Sequence, residues 1–577
     1  MTQEIRRRVV TGDAEALGAG LHPVLRRAYA ARGIVRPEQL STDLSRLLPV
    51  GTLGGVAAAV ELLLAHRERG RILVVGDFDA DGATSTALML RALRAWGFAS
   101  VDFLVPNRFE FGYGLTPEIV AVAATREPTL LVTVDNGISS LAGVASARAL
   151  GFDVLVTDHH LPAQELPQAN VIVNPNAEHG FASRCLAGVG VAFYVLAALK
   201  RALDERHCAP SGAPAVSEFL DLVALGTVAD LVPLDANNRV LVAQGLRRIR
   251  AGHCVAGITA LLEVAQRRRA DLTAGDLGFS VAPRLNAAGR LDDMTIGIQC
   301  LLADDPATAT ALAGRLDGIN RERRQIEARM QADALAALRG LDDPLSRAAQ
   351  RNGLCLFDES WHQGVVGLVA SRIKDRTGRP VIAFARAGDG VLRGSARSVP
   401  GLHIRDVLDA IATRKPALIA RFGGHAMAAG MTLDAAHLDE FAGEFDAEVT
   451  RWAQVAGFST CIETDGELSV AELHLETATA LRAGGPWGQL FPEPSFDGVF
   501  SVRNTRIVGE RHVKMWVEVP HTGRSFDAIA FNYLDAATDG ASPQLPAGEV
   551  RLVYRLDVNE YQNQRRLQLL VDKILAP

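Results

Sequence analysis

Cysteine is scarce in this 577-residue chain, and its six positions, Cys185, Cys208, Cys254, Cys300, Cys355 and Cys461, are scattered. No two form a Cys-x-x-Cys pair, which argues against structural zinc or a small disulfide framework and suits a reducing cytoplasm. Lysine is scarcer still: Lys200, Lys374, Lys415, Lys514 and Lys573 are the only five among 60 basic residues, so cationic work falls to arginine. Arginine forks phosphate oxygens bidentately, although a coding bias toward arginine and alanine is the blander account. Long apolar runs are missing. The longest, residues 185–199, falls short of the ~20 residues that span a bilayer. Arg6-Arg7-Arg8 is followed by no apolar segment of the signal-peptide kind. A soluble, cytoplasmic protein with no membrane attachment is expected. No Gly-x-x-x-x-Gly-Lys-[Ser/Thr] loop is present, which excludes a P-loop NTPase. The net charge of -6 does not announce a nucleic-acid binder. Whole-chain charge tests this weakly, because a carboxylate-rich metal site lowers the sum while a basic groove elsewhere does the binding.

What is present is 48% hydrophobic sequence, enough for large cores, and a length that suggests roughly three or four domains. Residues 71–175 alternate short apolar runs with helical spacing. The runs 72–75, 101–105, 130–134, 154–157 and 171–173 are β-branched and nearly continuous, as buried parallel strands are. They predict a doubly wound α/β domain, completed by helices over 186–265. Residues 305–340 read as one amphipathic helix, with Leu312, Leu316, Ile319, Ile326 and Met330 as its apolar stripe. At ~1.5 Å per residue such a helix is ~50 Å long, a strut between domains. A second α/β unit follows over 353–455, with strands at 354–357 and 381–384. From Cys461 onward, short strands separated by polar turns predict a small barrel. The expected division is an N-terminal extension 1–50, a catalytic domain 51–300, a connecting helix 301–350, a smaller α/β domain 351–457 and a barrel 458–577.

The strongest chemical feature is Gly76-Asp77-Phe78-Asp79-Ala80-Asp81-Gly82, which directly follows a buried strand. If the chain is extended, alternation puts all three carboxylates on one side. They stand where open α/β sheets place ligands, and they repel unless a cation neutralises them. An EF-hand is excluded, because Leu88 stands where its twelfth-position glutamate should be. Gly82 is expected to free the turn into a helix whose N–H groups can face phosphate. The next two strands end in Asp135-Asn136-Gly137 and Asp158-His159-His160. Alone, a strand-end aspartate serves equally to cap a turn, and a histidine pair is more often surface or core than ligand. Three consecutive strand ends of this kind converge in this fold class. Asp230, in Gly226-Thr227-Val228-Ala229-Asp230, sits among apolar neighbours, where a carboxylate must be paired or metal-bound. Carboxylate and imidazole donors without thiolate suit two ions of Mn²⁺ or Mg²⁺. A pair ~3.5–4 Å apart supports in-line phosphodiester hydrolysis.

These motifs, in this order, closely resemble the DHH phosphoesterase superfamily, and over essentially the whole chain its single-strand-specific 5′→3′ DNA exonucleases. Arg284-Leu285-Asn286-Ala287-Ala288-Gly289-Arg290, Gly394-Ser395-Ala396-Arg397 and Gly423-Gly424-His425-Ala426 look like the family's later motifs. The last two fall in its DHHA1 domain. The resemblance implies that Asp77 and Asp79 bind one metal and that Asp81, His159 and Asp230 bind the other. It also implies that Asp135 bridges both, that His160 contacts the scissile phosphate and that Asp158 orients His159. It implies that Ser395 and Arg397 grip phosphate with His425 near the reacting centre. Arg284, Asn286 and Arg290 would line the cleft, and Arg108 and Tyr113 would read a 5′ end. Surface salt bridges for the arginines and core packing for Tyr113 are the blander readings. The barrel resembles an OB-fold, with Phe500, Arg503, Arg506, Lys514, Trp516 and Tyr554 as aromatic and cationic candidates for a single-strand groove. The family also implies, for a monomeric chain, a single-strand-binding protein and a RecQ-type helicase as partners. The implied activity releases nucleoside 5′-monophosphates in DNA repair and recombination. Two alternatives stand beside it. One is a DHH pyrophosphatase or oligonucleotide or cyclic-dinucleotide phosphodiesterase. The other is a non-catalytic replication scaffold.

Overall fold

The apolar runs become strands because β-branched side chains can be buried on both faces of a parallel sheet. In the computed structural model, which describes all residues except 1–3, 11, 108–110, 112–113, 178–179, 338–350, 389, 457–460, 510, 535–544 and 562–563, the chain forms two compact units. One comprises residues 10–320 and 479–494; the other comprises 1–9, 321–478 and 495–577. The segment 1–50, expected as one extension, is therefore divided. Its first strand, Glu4–Arg7 (β1), belongs to the second unit.

The first unit is built on Arg71–Gly76 (β2), Ser100–Leu104 (β3), Leu130–Val134 (β4), Asp153–Thr157 (β5) and Val171–Val173 (β6). They form one parallel sheet in the order β3-β2-β4-β5-β6. The register carries the functional consequence. Gly76 lies opposite Val134, Val134 opposite Thr157, and Thr157 opposite Val173. The residues that follow, Asp77, Asp135, Asp158 and Asn174, therefore leave the sheet along one edge. Helices Ala80–Ala95 and Gly188–Glu205 pack against it, and Leu220–Ala229 packs on both of them.

The second unit holds a five-stranded mixed sheet and a barrel. Leu354–Phe357 (β7) and Val381–Gly388 (β8) run parallel; Val391–Arg397 (β9), Arg421–Gly424 (β10) and Ala428–Asp434 (β11) complete the order β10-β11-β9-β8-β7. Sequence pattern finds β7 and β8 only. The other three carry Gly394, Gly423, Gly424 and Gly430, and glycine weakens a strand signal. Cys461–Thr464 (β12) pairs in parallel with β1. Phe496–Val508 (β13), His512–Glu518 (β14), Ser525–Ala530 (β15), Gly548–Tyr561 (β16) and Gln564–Leu575 (β17) close a barrel. Residues 479–494, expected in the barrel domain, pack instead with the first unit, where Trp487 and Phe491 stack beside Tyr29.

The long helix spans Pro306–Ala337, starting in the first unit and ending in the second. Its buried stripe differs from the expected one. Leu316 and Met330 are buried, but Leu312, Ile319 and Ile326 are only half-buried, and Asp317, Asn320 and Glu327 fill the stripe between them. Buried partners such as Arg284, not periodicity, decide that face.

Candidate metal centre

Three structural contexts bring the aspartates of the first motif together. The chain is not extended there, as alternation suggested. Asp77 leaves the strand, Asp79 caps the helix Ala80–Ala95, and Asp81 lies in its first turn. Asp79 Oδ1 accepts hydrogen bonds from the Asp81 and Gly82 N–H groups at 2.9 and 3.0 Å, a standard N-cap. Gly82 sits inside the helix and does not form the turn before it. It is needed for space, because a Cβ there would lie 2.5 Å from the Asp77 carbonyl. Both Asp81 oxygens accept backbone N–H groups, from Gly188 at 2.6 Å and Val189 at 2.9 Å, at the start of helix Gly188–Glu205.

Asp135 holds φ 61°, rare for a residue with a side chain and characteristic of functional positions. Gly188 makes this possible, since a Cβ at that position would fall 2.6 Å from the Asp135 Cβ. His159 Nε2 lies 3.1 Å from Asp135 Oδ1 and 3.5 Å from Asp230 Oδ2, which joins two strand ends to the end of helix Leu220–Ala229. Asn176 and Asn174 side chains bond the His159 and His160 carbonyls at 2.6 and 2.9 Å and fix the pair's backbone.

The expected role of Asp158 is corrected. Its Oδ1 holds the ring of His160, through Nδ1 at 2.7 Å, and reaches His159 only at the backbone N–H. Spacing could not decide which of two adjacent rings folds back on the buried carboxylate. Burial pulls the His160 pKa down, but Asp158, Asp230 and Asp77 more than offset it, raising it to about 9.

Ligand-type atoms converge in three groups, each within 4.8 Å: Asp77, Asp79 and Asp135; Asp81, His159 and Asp230; and Asp135, His159 and His160. Burial and neighbouring carboxylates push Asp81 up to about 7, and raise Asp135 and Asp230 well above the carboxylate range. Five carboxylates this close require protons or cations. The donors are oxygen and imidazole nitrogen with no thiolate, so the residues fit hard divalent ions such as Mn²⁺ and Mg²⁺.

Full-length relatives place this geometry. The chain is 52% identical over 582 residues, covering 99% of both chains, to "Single-stranded-DNA-specific exonuclease RecJ" of Salmonella typhimurium. The chain belongs to the RecJ family. Residues 71–227 match the DHH family N-terminal domain, 350–451 the DHHA1 domain and 464–573 the RecJ OB domain. The crystal structure of RecJ in complex with Mn²⁺ from Thermus thermophilus superposes with a TM-score of 0.79 at 31% identity, covering 97% of this chain and 77% of that one. The Mg²⁺ complex from the same organism gives 0.73 at 29% identity, covering 97% and 76%.

In the DHHA1 region of this RecJ-family chain, Ser395 and Arg397 share one face of β9, and the Arg397 Nη1 donates to Ser395 Oγ at 2.9 Å. Burial pulls the Arg397 pKa down, and among the described residues no carboxylate pairs with it. Gly367, in the first turn of helix Val366–Thr377, leaves room for both; a Cβ there would lie 2.8 Å from each. His425 is exposed in the turn between β10 and β11. It lies in the other unit from the carboxylates.

The structure uses the remaining candidates differently. Arg284 is buried, with Nε 2.9 Å from Asp317 and Nη1 on the Ser280 carbonyl, so it anchors the long helix and does not line an open cleft. Asn286 Oδ1 accepts the Ala80 N–H at 2.8 Å and pins the aspartate loop. Arg290 is half-buried on the same helix, Ala282–Leu291. Arg108 and Tyr113 lie outside the described residues. On the barrel, Phe500 and Tyr554 are core, and Arg503 is held by Glu518 at 2.9 and 3.1 Å. Arg506, Lys514, Trp516, Asp527 and Arg566 line a groove of ≈ 410 Å³ with Trp516 half exposed. Sequence reasoning missed Gly188, Val189 and Gly367. Backbone donors carry no side-chain signal, and the only hint was glycine opening an apolar helix.

Proposed function

We propose that the chain is a single-strand-specific DNA exonuclease that works 5′→3′ with two divalent ions and releases nucleoside 5′-monophosphates in repair and recombination. The convergence of Asp77, Asp79, Asp81, Asp135, His159 and Asp230 at one sheet edge carries the reading, in a chain whose full-length relatives are named single-stranded-DNA-specific exonucleases. We assign Asp77 and Asp79 to one Mn²⁺ or Mg²⁺, Asp81, His159 and Asp230 to the other, and Asp135 to both. Bound there, such a pair would neutralise the carboxylates and supply Lewis acidity toward water and the phosphodiester.

The chain's own residues do the rest. Gly188 and Val189 N–H groups fix Asp81, while Asn286 fixes the loop before it. Asp158 holds His160 by Nδ1, leaving Nε2 as the ring's other polar atom for a scissile phosphate oxygen. Ser395 and Arg397 are assigned to a phosphate of the bound strand, with His425 beside the reacting group, Arg290 lining the strand's path, and Arg108 and Tyr113 at the 5′ end. The barrel groove, with Trp516 among cations, suits single-strand stacking. The working division is 51–300 catalytic, 301–350 connecting, 351–457 DHHA1 and 458–577 strand-binding, less the stretch 479–494 that packs with the first unit. The protein is proposed to act as a cytoplasmic monomer beside a single-strand-binding protein and a RecQ-type helicase. Among the described residues no single helix is long and apolar enough to cross a membrane.

Initial rates with Mn²⁺ on a long single strand, the matching duplex and a dinucleotide test the reading. The long single strand should be cut fastest. Preference for the dinucleotide would instead assign the chain to the small-substrate branch of the superfamily.

A further inference from the structure

Three exposed apolar side chains in the metal-site unit stand beside its ligand motifs. Leu161 follows His160 and is 58% exposed; Leu231 follows Asp230 and is 65% exposed. Phe279 is 78% exposed, on the π-helical segment Leu277–Val281 that leads into the helix carrying Asn286. Val228 links the neighbourhoods of Leu231 and Phe279. The Leu231 N–H donates to the Val228 carbonyl at 3.3 Å, and a Cβ on Gly278 would lie 3.1 Å from Val228 Cγ1. Leu231 also holds φ 57°, a left-handed conformation that a branched apolar residue rarely adopts. π-helical turns and residues of this kind concentrate at functional positions.

Resting on the exonuclease reading above, we propose that Leu161, Leu231 and Phe279 form an apolar rim that grips the bases of the nucleotides next to the scissile phosphate. Leu161 and Leu231 directly follow the cluster residues His160 and Asp230 in the chain, so a strand whose phosphate lies at the cluster runs close to them. Phosphate and sugar hydroxyls lose water against such a surface and gain nothing. A base face gains, and every base has one, so the grip is indifferent to sequence. In a duplex those faces are stacked on their neighbours and cannot reach the rim. Single-strand preference therefore has a component at the metal site itself.

Steady-state kinetics with Mn²⁺ test this on two short single strands, one ordinary and one abasic at its first few 5′ nucleotides. Phe279→Ala should raise KM on the ordinary strand about tenfold, equivalent to ~1.4 kcal/mol, with kcat little changed. Phe279→Trp should restore it. Leu231→Asn, which keeps a side chain tolerant of the left-handed backbone, should raise KM severalfold. Abasic sites should raise the wild-type KM but add nothing in Phe279→Ala. An unchanged KM in Phe279→Ala, or an abasic penalty of equal size in both proteins, overturns the rim. A wild type that cuts no single strand overturns the exonuclease reading and the rim with it. A wild type that cuts but pays no abasic penalty overturns the rim alone.

Discussion

The two units bury charge in opposite ways. At the ends of β2, β4 and β5, carboxylates of one sign crowd until burial and mutual repulsion lift Asp81, Asp135 and Asp230 out of the usual acidic range. On β9 a single guanidinium, Arg397, is half-buried with a hydroxyl and a carbonyl for company and no carboxylate partner among the described residues. Each arrangement is costly alone and is relieved by the opposite charge. The first calls for cations and the second for an anion. Divalent ions answer the first, and a phosphate oxygen would answer the second.

The largest expected effect breaks the first site. Asp135→Ala removes the carboxylate shared between two ligand groups, so turnover should fall on the order of 10³-fold or more, with strand binding by filter retention largely kept. Retained turnover would remove Asp135 from the bridging role.

Gly289→Ala should follow. A Cβ there would lie 1.7 Å from the Phe78 carbonyl, so the aspartate loop must move. A shift of about 1 Å costs ~10²-fold in rate, and a circular dichroism melt separates this from unfolding. Normal kinetics would mean that the loop tolerates displacement.

Arg397→Met sharpens the contrast by removing the half-buried cation. Affinity for a single strand should fall about tenfold or more, as expected for a lost charge-assisted bond.

The last effect is on the pH dependence of metal-free stability. The Asp81 carboxyl titrates near 7 when folded, against an ordinary 3.8. The folded state therefore binds the extra proton between those values. That group's stabilisation is full below about pH 4 and is lost as pH rises toward 7. Mn²⁺ replaces the proton, so the Mn²⁺-induced rise in Tm should grow across this window. A constant shift would contradict it.

What could be read in advance follows the same division. The parallel sheet was legible because continuous β-branched runs admit few other structures, and the aspartate motifs because their chemistry is concentrated at strand ends. Less could be read where a residue's role depends on what folds against it. Arg284 stands in a motif yet commits its guanidinium to Asp317, thirty-three residues later. Asp158 orients His160 and not His159. Asp317, Asn320 and Glu327 occupy a helix stripe that periodicity assigned to leucine and isoleucine. Phe500 and Tyr554 are barrel core while Trp516 faces out, a choice that sequence alternation left open.

The central claim is metal-dependent removal of nucleotides from the 5′ end of a single strand. Digestion of matched 5′- and 3′-labelled single strands with Mn²⁺ tests it most directly. The 5′ label should appear at once as a mononucleotide, while the 3′-labelled strand shortens through a ladder, and both should stop on chelation. The reverse pattern, or equal release from the duplex, would contradict the account.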